Sequence, residues 1–120
     1  MINILIIDTA RPQMSLALIS EGGDSIHVNS TKDYQHARDI TIEIEKLLVQ
    51  GNIKWTNIHA VALNEGPGSF TGLRVGSSVA KGLCYGLNIP LIAIRGLEGY
   101  GQYYYEQRKA DYRTIFVLLD

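Results

Sequence analysis

Asn64-Glu65-Gly66-Pro67-Gly68-Ser69-Phe70-Thr71-Gly72-Leu73-Arg74-Val75-Gly76 is the stretch on which the fold turns. The apolar run before it, Ala60-Val61-Ala62-Leu63, has the length and composition of a buried strand. After it, Val75 to Tyr85 contains no proline and reads as a helix. Gly66-Pro67-Gly68 is turn chemistry, because glycine tolerates positive φ and proline fixes its own. Ser69 or Thr71 can cap the helix by accepting from an unpaired backbone N–H. The stretch is therefore strand, tight glycine turn and helix N-terminus.

Two phosphate motifs can be tested against it. A Walker-type loop places Lys and then Ser or Thr directly after its last glycine, whereas Gly72 is followed by Leu73-Arg74. A dinucleotide fingerprint needs glycine at its first, third and sixth positions, and the sixth from Gly66 is Thr71. The next strand, Leu91-Ile92-Ala93-Ile94-Arg95, also closes without an acidic residue to hold a ribose. Neither motif is met.

Spacing gives a third reading. Gly72, Gly76 and Ala80 recur every four residues, as do Ser78, Gly82 and Gly86, so a helix carries them as two neighbouring smooth rows. Each interior glycine costs about 0.5–1 kcal/mol relative to alanine, so close backbone approach by another element must compensate. One row is expected to meet the chain's own sheet or first helix. The other is then left for a second protein.

With 120 residues the chain supports one domain with a modest core. A hydrophobic content of 46% with 19% charged residues is ordinary for a globular protein. Eleven Lys and Arg against 12 Asp and Glu give a net charge of −1, no field for direct, tight nucleic-acid binding. The single cysteine, Cys84, has no internal disulfide partner and reads as a small buried side chain. Met1-Ile2-Asn3-Ile4 has no basic leader, and no apolar run approaches about 18 residues, so no membrane association is expected and the location is cytoplasmic by default.

Taken in order, Ile2 to Ile7 is apolar at nearly every position and predicts a central strand covered on both faces. Met14 to Ile19 and Ser25 to Val28 are two more strands, joined by the hairpin signal Glu21-Gly22-Gly23-Asp24. Asp33 to Gln50 carries Ala37, Ile40, Ile44, Leu47 and Leu48 at helical spacing and stops at Gly51-Asn52. Ile42 and Val49 lie off that stripe, an outer apolar edge for a neighbour to cover. After the glycine turn and second helix come a fifth strand, Leu91 to Ile94, a tyrosine-rich third helix from Leu97 to about Arg108, and a sixth strand, Thr114 to Leu119. Asp39, Glu43 and Lys46 at i, i+4 and i, i+3 steps make a solvated, weakly paired face. His27, His36 and His59 share no metal-ligand spacing, and no Gly-x-Ser-x-Gly elbow is present.

Three strands in hairpin order followed by alternating helices and strands predict an α/β fold, a mixed sheet of about five strands with helices alongside. This is the order of a ribonuclease H-like or actin-like (ASKHA) lobe, in which Asp8 at the first strand end commonly meets phosphate or metal. Residues 1–110 would form that lobe, and 111–120 the opening strand of a second lobe.

With the elements placed, Ile7-Asp8-Thr9, the eleven residues Gly66 to Gly76, and Ile89-Pro90-Leu91 resemble the bacterial TsaB (YeaZ) family over essentially the whole chain. The resemblance implies a non-catalytic paralogue of TsaD, the enzyme completing threonylcarbamoyladenosine beside the anticodon of transfer RNA. It implies pairing with TsaD through the first two helices of each partner, with Ile42, Val49, Gly72, Arg74, Val75, Gly76, Val79, Ala80 and Leu83 at the interface. A TsaE-type ATPase would be a further partner, tRNA would be contacted only indirectly, and the lone chain would form a homodimer through the same surface. The catalytic paralogue carries a metal-binding His-x-x-x-His pair where this sequence has Gly96 and Tyr100, neither of which can replace an imidazole. The resemblance thus implies no metal, no catalytic residue and no cofactor of its own, with ATP confined to the partner interface or the full-length cleft. Two alternatives stay open. One is an ATP-binding half of an actin-like phosphotransferase, using Asp8, Gly66 and Gly68 near phosphates; the other is a metallopeptidase of the glycoprotease type.

Overall fold

The computed structural model describes residues 1–33, 37–96 and 106. Five strands form one sheet: β1 (Asn3–Asp8), β2 (Gln13–Ser20), β3 (Ser25–Asp33), β4 (Ala60–Gly66) and β5 (Leu91–Arg95). Two helices, α1 (Ala37–Gln50) and α2 (Phe70–Leu87), and a 3₁₀ turn at Trp55–Asn57 complete the described elements. The spatial order is β3-β2-β1-β4-β5. The hairpin strands pair antiparallel, whereas β1, β4 and β5 run parallel. The predicted mixed sheet is present, and its parallel half needs the crossovers that the helices supply.

Strand alternation divides the residues between two faces. Leu5 and Ile7 of β1 lie beside Leu16 and Leu18 of β2 and Val61 and Leu63 of β4, all buried. Ile40, Ile44, Leu47 and Leu48 of α1, with Val79, Ala80 and Cys84 of α2, close the core. The opposite face carries Ile4, Ile6 and Asp8, next to Ala62 and Asn64, then Ile92 and Ile94.

The caps follow from sequence. Ser69 is the N-cap of α2, its hydroxyl accepting from Gly72 N at 3.2 Å, so of the two residues able to cap, it is the serine that does. Asn88 ends α2 in the left-handed region, and Ile89 N donates to Cys84 O at 3.0 Å. Asn52 plays the same part after α1, at φ +53°.

One boundary differs from expectation. Asp33 opens no helix: it ends β3, opposite Gln13, beyond a register shift between Gln13 and Ser15. The bulge lets the polar run from Asn29 onward continue as an edge strand, which side-chain periodicity cannot distinguish from a helix lead-in. The third helix, apart from the single residue Glu106, the sixth strand, and the division at residues 110 and 111 lie outside the described residues. Among those described, no helix is long and apolar enough to cross a membrane.

Candidate functional site

Two regions hold the residues singled out in the sequence. The first is the carboxyl end of the parallel strands, where open α/β sheets commonly receive ligands. Asp8 ends β1, and its Oδ1 accepts from Ala10 N at 3.1 Å and from Asn64 Nδ2 at 3.1 Å. Asn64 also accepts from Gly66 N through Oδ1 at 3.0 Å, so this one amide ties both strand ends to the glycine turn. A Cβ at Gly96 would fall 2.8 Å from Asn64 Nδ2, which places Gly96 hard against that amide. Tyr100, its partner in the expected histidine comparison, lies outside the described residues. Among the described residues, no three His, Cys, Asp or Glu side chains come together in a metal-holding group.

The turn's amides are largely engaged by the chain itself. Ser69 N donates to Ala10 O at 2.6 Å, and Gly66 and Gly72 donate to Asn64 and Ser69 side chains. Gly66 sits at φ +110°, a region that a side chain would strain. A phosphate cradle needs several such N–H groups aimed at a common point in solvent. Here three of them are turned inward.

The second region is the helix pair. Which smooth row of α2 is internal is now plain. A Cβ added at Gly72 would run into the carbonyl oxygen of Thr9, and one at Gly76 into the Thr9 hydroxyl. Thr9 is 3% exposed, and its Oγ1 donates to Gly72 O at 2.7 Å. Gly72 and Gly76 are thus clasped against the end of β1, and Ala80 continues their row into the core. Val79 is buried beside it. Gly72 and Gly76, expected at a partner interface, are therefore occupied by the chain's own Thr9, because only glycine allows α2 to approach the end of β1 so closely, and Val79 and Ala80, expected there too, are buried in the core. Val75 and Leu83 are half-buried and packed on the core.

The outward row is the other one. A Cβ at Gly82 or Gly86 would meet nothing within 4 Å. Of the remaining interface candidates, Ile42 is 39% and Val49 75% exposed, and Arg74 is exposed with its guanidinium 5.4 Å over the Phe70 ring. A groove lined by Ala37 of α1 and by Phe70, Thr71, Arg74, Val75 and Ser78 of α2 runs between the helices. Glu43 and Lys46 pair at 3.3 Å on exposed α1, a contact worth little. His27 bonds Ser25 and His59 Nδ1 accepts from Asn3 N, so both have local partners. Sequence reasoning missed Thr9 and Asn64, whose roles arise from contacts over 50 residues apart. It also passed over Phe70, Lys81 and Tyr85, which a helical projection around Arg74 would have put on the same outward side.

The strand order, the helices on one face and the acidic residue closing β1 define a ribonuclease H-like α/β lobe of the actin-like kind. A solved structure of RuvC from Thermus thermophilus shares that fold, with TM-score 0.53 over 81% of this chain and 66% of that one at 11% identity. The family described as "TsaD: tRNA N6-adenosine threonylcarbamoyltransferase" matches residues 28–120. The tRNA threonylcarbamoyladenosine biosynthesis protein TsaB of Haemophilus influenzae is 33% identical over 110 residues, covering 92% of this chain and 46% of that protein. YeaZ from Pseudomonas aeruginosa superposes with TM-score 0.77 at 28% identity, over 91% of this chain and 50% of its own. The chain belongs to the TsaD family, in its TsaB (YeaZ) branch. It spans about half the length of the curated TsaB relatives it matches.

Proposed function

We propose that this chain acts in tRNA threonylcarbamoyladenosine biosynthesis as the first lobe of a TsaB-type scaffold. It carries no catalysis of its own and docks a TsaD-type catalytic subunit through the outward side of α1 and α2. The observation that carries this reading is the pair of exposed apolar side chains Ile42 and Val49 on α1, with the bare Gly82 and Gly86 on α2. Side-chain-free helix surface lets a second helix approach closely, and exposed apolar surface favours being covered. In this reading a TsaE-type ATPase joins through the catalytic subunit, tRNA is met only indirectly, and a second copy covers the face when the partner is missing. Any ATP belongs to the partner interface or to the cleft of the two-lobed relatives.

Analytical ultracentrifugation of the chain alone, and mixed with the TsaD-type protein of the same organism, tests it. A one-to-one complex that Val49→Asp weakens is the expected result. A chain that stays monomeric in both runs overturns the docking role.

A further inference from the structure

Four side chains of α2 share one outward stripe. Phe70, Arg74, Lys81 and Tyr85 fall within a sector of about 60° when successive residues turn by about 100°. Phe70 is 74% and Tyr85 93% exposed, and both cations between them are exposed. The 18 residues of α2 contain no carboxylate, whereas α1 carries Asp39, Glu43 and Glu45 against Arg38 and Lys46. Among the described residues neither Arg74 nor Lys81 forms an ion pair. Glu65 lines the groove beside them but pairs with Arg95 at 3.5 Å. Leu63, Leu73, Ser77 and Ser78 line that groove together with Phe70, Arg74 and Lys81.

Among the described residues, a groove lined in part by leucines, a stripe with an exposed aromatic at either end, and two cations between them without a carboxylate partner describe a receptor for something amphipathic and acidic. We propose that this stripe receives a helix of a partner protein that carries two carboxylates about 10 Å apart, the rise over the seven residues from Arg74 to Lys81, with apolar side chains beyond them. Arginine and exposed aromatic side chains are the groups that most often dominate docking energy once desolvated. Two cations on a chain of net charge −1 are too sparse for a phosphate backbone, which presents a charge every ~1.7 Å of duplex. The bare Gly82 beside the stripe favours a helix, which can approach to about 8–10 Å between axes. This inference rests on the reading of the helix pair as a protein-docking face, and it adds the charge and spacing of the occupant.

The test is titration calorimetry of the chain with the TsaD-type protein of the same organism, at about 50 and about 500 mM salt, since screening lengths shorten severalfold between them. The double variant Arg74→Glu/Lys81→Glu is expected to weaken pairing roughly tenfold or more at low salt and to invert the salt dependence, because added salt screens the new repulsion. Arg74→Gln/Lys81→Gln should fall between, and the melting temperature of both variants should match the parent because the side chains are exposed. Pairing that is equally tight in the charge-reversed variant overturns the stripe while leaving the docking role standing. No pairing by the parent chain overturns both. If the double variant instead loses binding to labelled transfer RNA, or loses self-association, with TsaD-type pairing intact, the occupant is RNA or a second copy and the proposal fails.

Discussion

Gly76→Ala adds one methyl group to α2, and the structure sets the sign of its effect. The new Cβ would overlap the Thr9 hydroxyl and lie 3.2 Å from Thr9 Cβ, so either α2 moves outward or Thr9 rotates. Overpacking of this kind costs about 1–3 kcal/mol. Rotating Thr9 also breaks its 2.7 Å bond to Gly72 O within a site 3% exposed, a loss of about 1 kcal/mol. Against this, alanine is the better helix former by about 0.5–1 kcal/mol. The balance is a destabilisation of about 1–3 kcal/mol. Gly82→Ala is the internal control: its Cβ meets nothing within 4 Å, so only the helix term of about 0.5–1 kcal/mol remains, and it stabilises. One substitution, made six residues apart on one helix, is thus expected to have opposite signs. Urea unfolding followed by circular dichroism gives both free energies, and about 4 °C of melting temperature should accompany each kcal/mol. In a double-mutant cycle, Thr9→Ala should relieve part of the Gly76→Ala cost, with coupling of about 0.5–3 kcal/mol. A Gly76→Ala chain as stable as its parent, or a Gly82→Ala chain destabilised equally, would refute the assignment of the inner and outer rows.

Three further outcomes are expected. Val49→Asp, at a position 75% exposed, should change stability by less than about 0.5 kcal/mol while weakening co-sedimentation with a TsaD-type partner. Burial pushes the Cys84 thiol above its ordinary value of 9.0, more than a backbone hydrogen bond from Val61 lowers it. The folded state therefore favours the protonated thiol; that contribution is complete below pH 9 and is lost as pH rises through the folded value, so Cys84→Ala should flatten the alkaline fall in a pH series of melts. Saturating ATP should leave the melting temperature of the chain unchanged, because the turn's amides are engaged internally; a rise of several degrees would favour the phosphotransferase reading.

Much of the fold was legible because local signals and global packing agree. The unbroken apolar run of β1, the Gly22-Gly23 hairpin, the stripe of Ile40, Ile44, Leu47 and Leu48, and the Ser69 cap each point to the element that forms. The limits of legibility have a physical cause as well. The two smooth rows of α2 have the same period, so helix geometry cannot choose between them. The choice is made by Thr9, 63 residues from Gly72. Asp33 fails for a related reason, since its partner Gln13 is reached only across a bulge. At the strand ends, the contact of Asp8 with Ala10 N, two residues on, is local. Its second partner, Asn64, belongs to a strand 56 residues away and leaves no local mark.

The clasp between Thr9 and the inner row also sets an order of events in folding. The β1–β2–β3 hairpin strands and the turns of α1 need only near neighbours, whereas the clasp must wait until a loop of some sixty residues has closed. Contacts that form after the rate-limiting barrier govern how fast a chain comes apart, not how fast it assembles. If the clasp closes only after that barrier, tightening the seam between β1 and α2 lengthens the lifetime of the folded lobe while leaving its rate of formation nearly unchanged, and the glycines there act as the latch on the molecule's persistence.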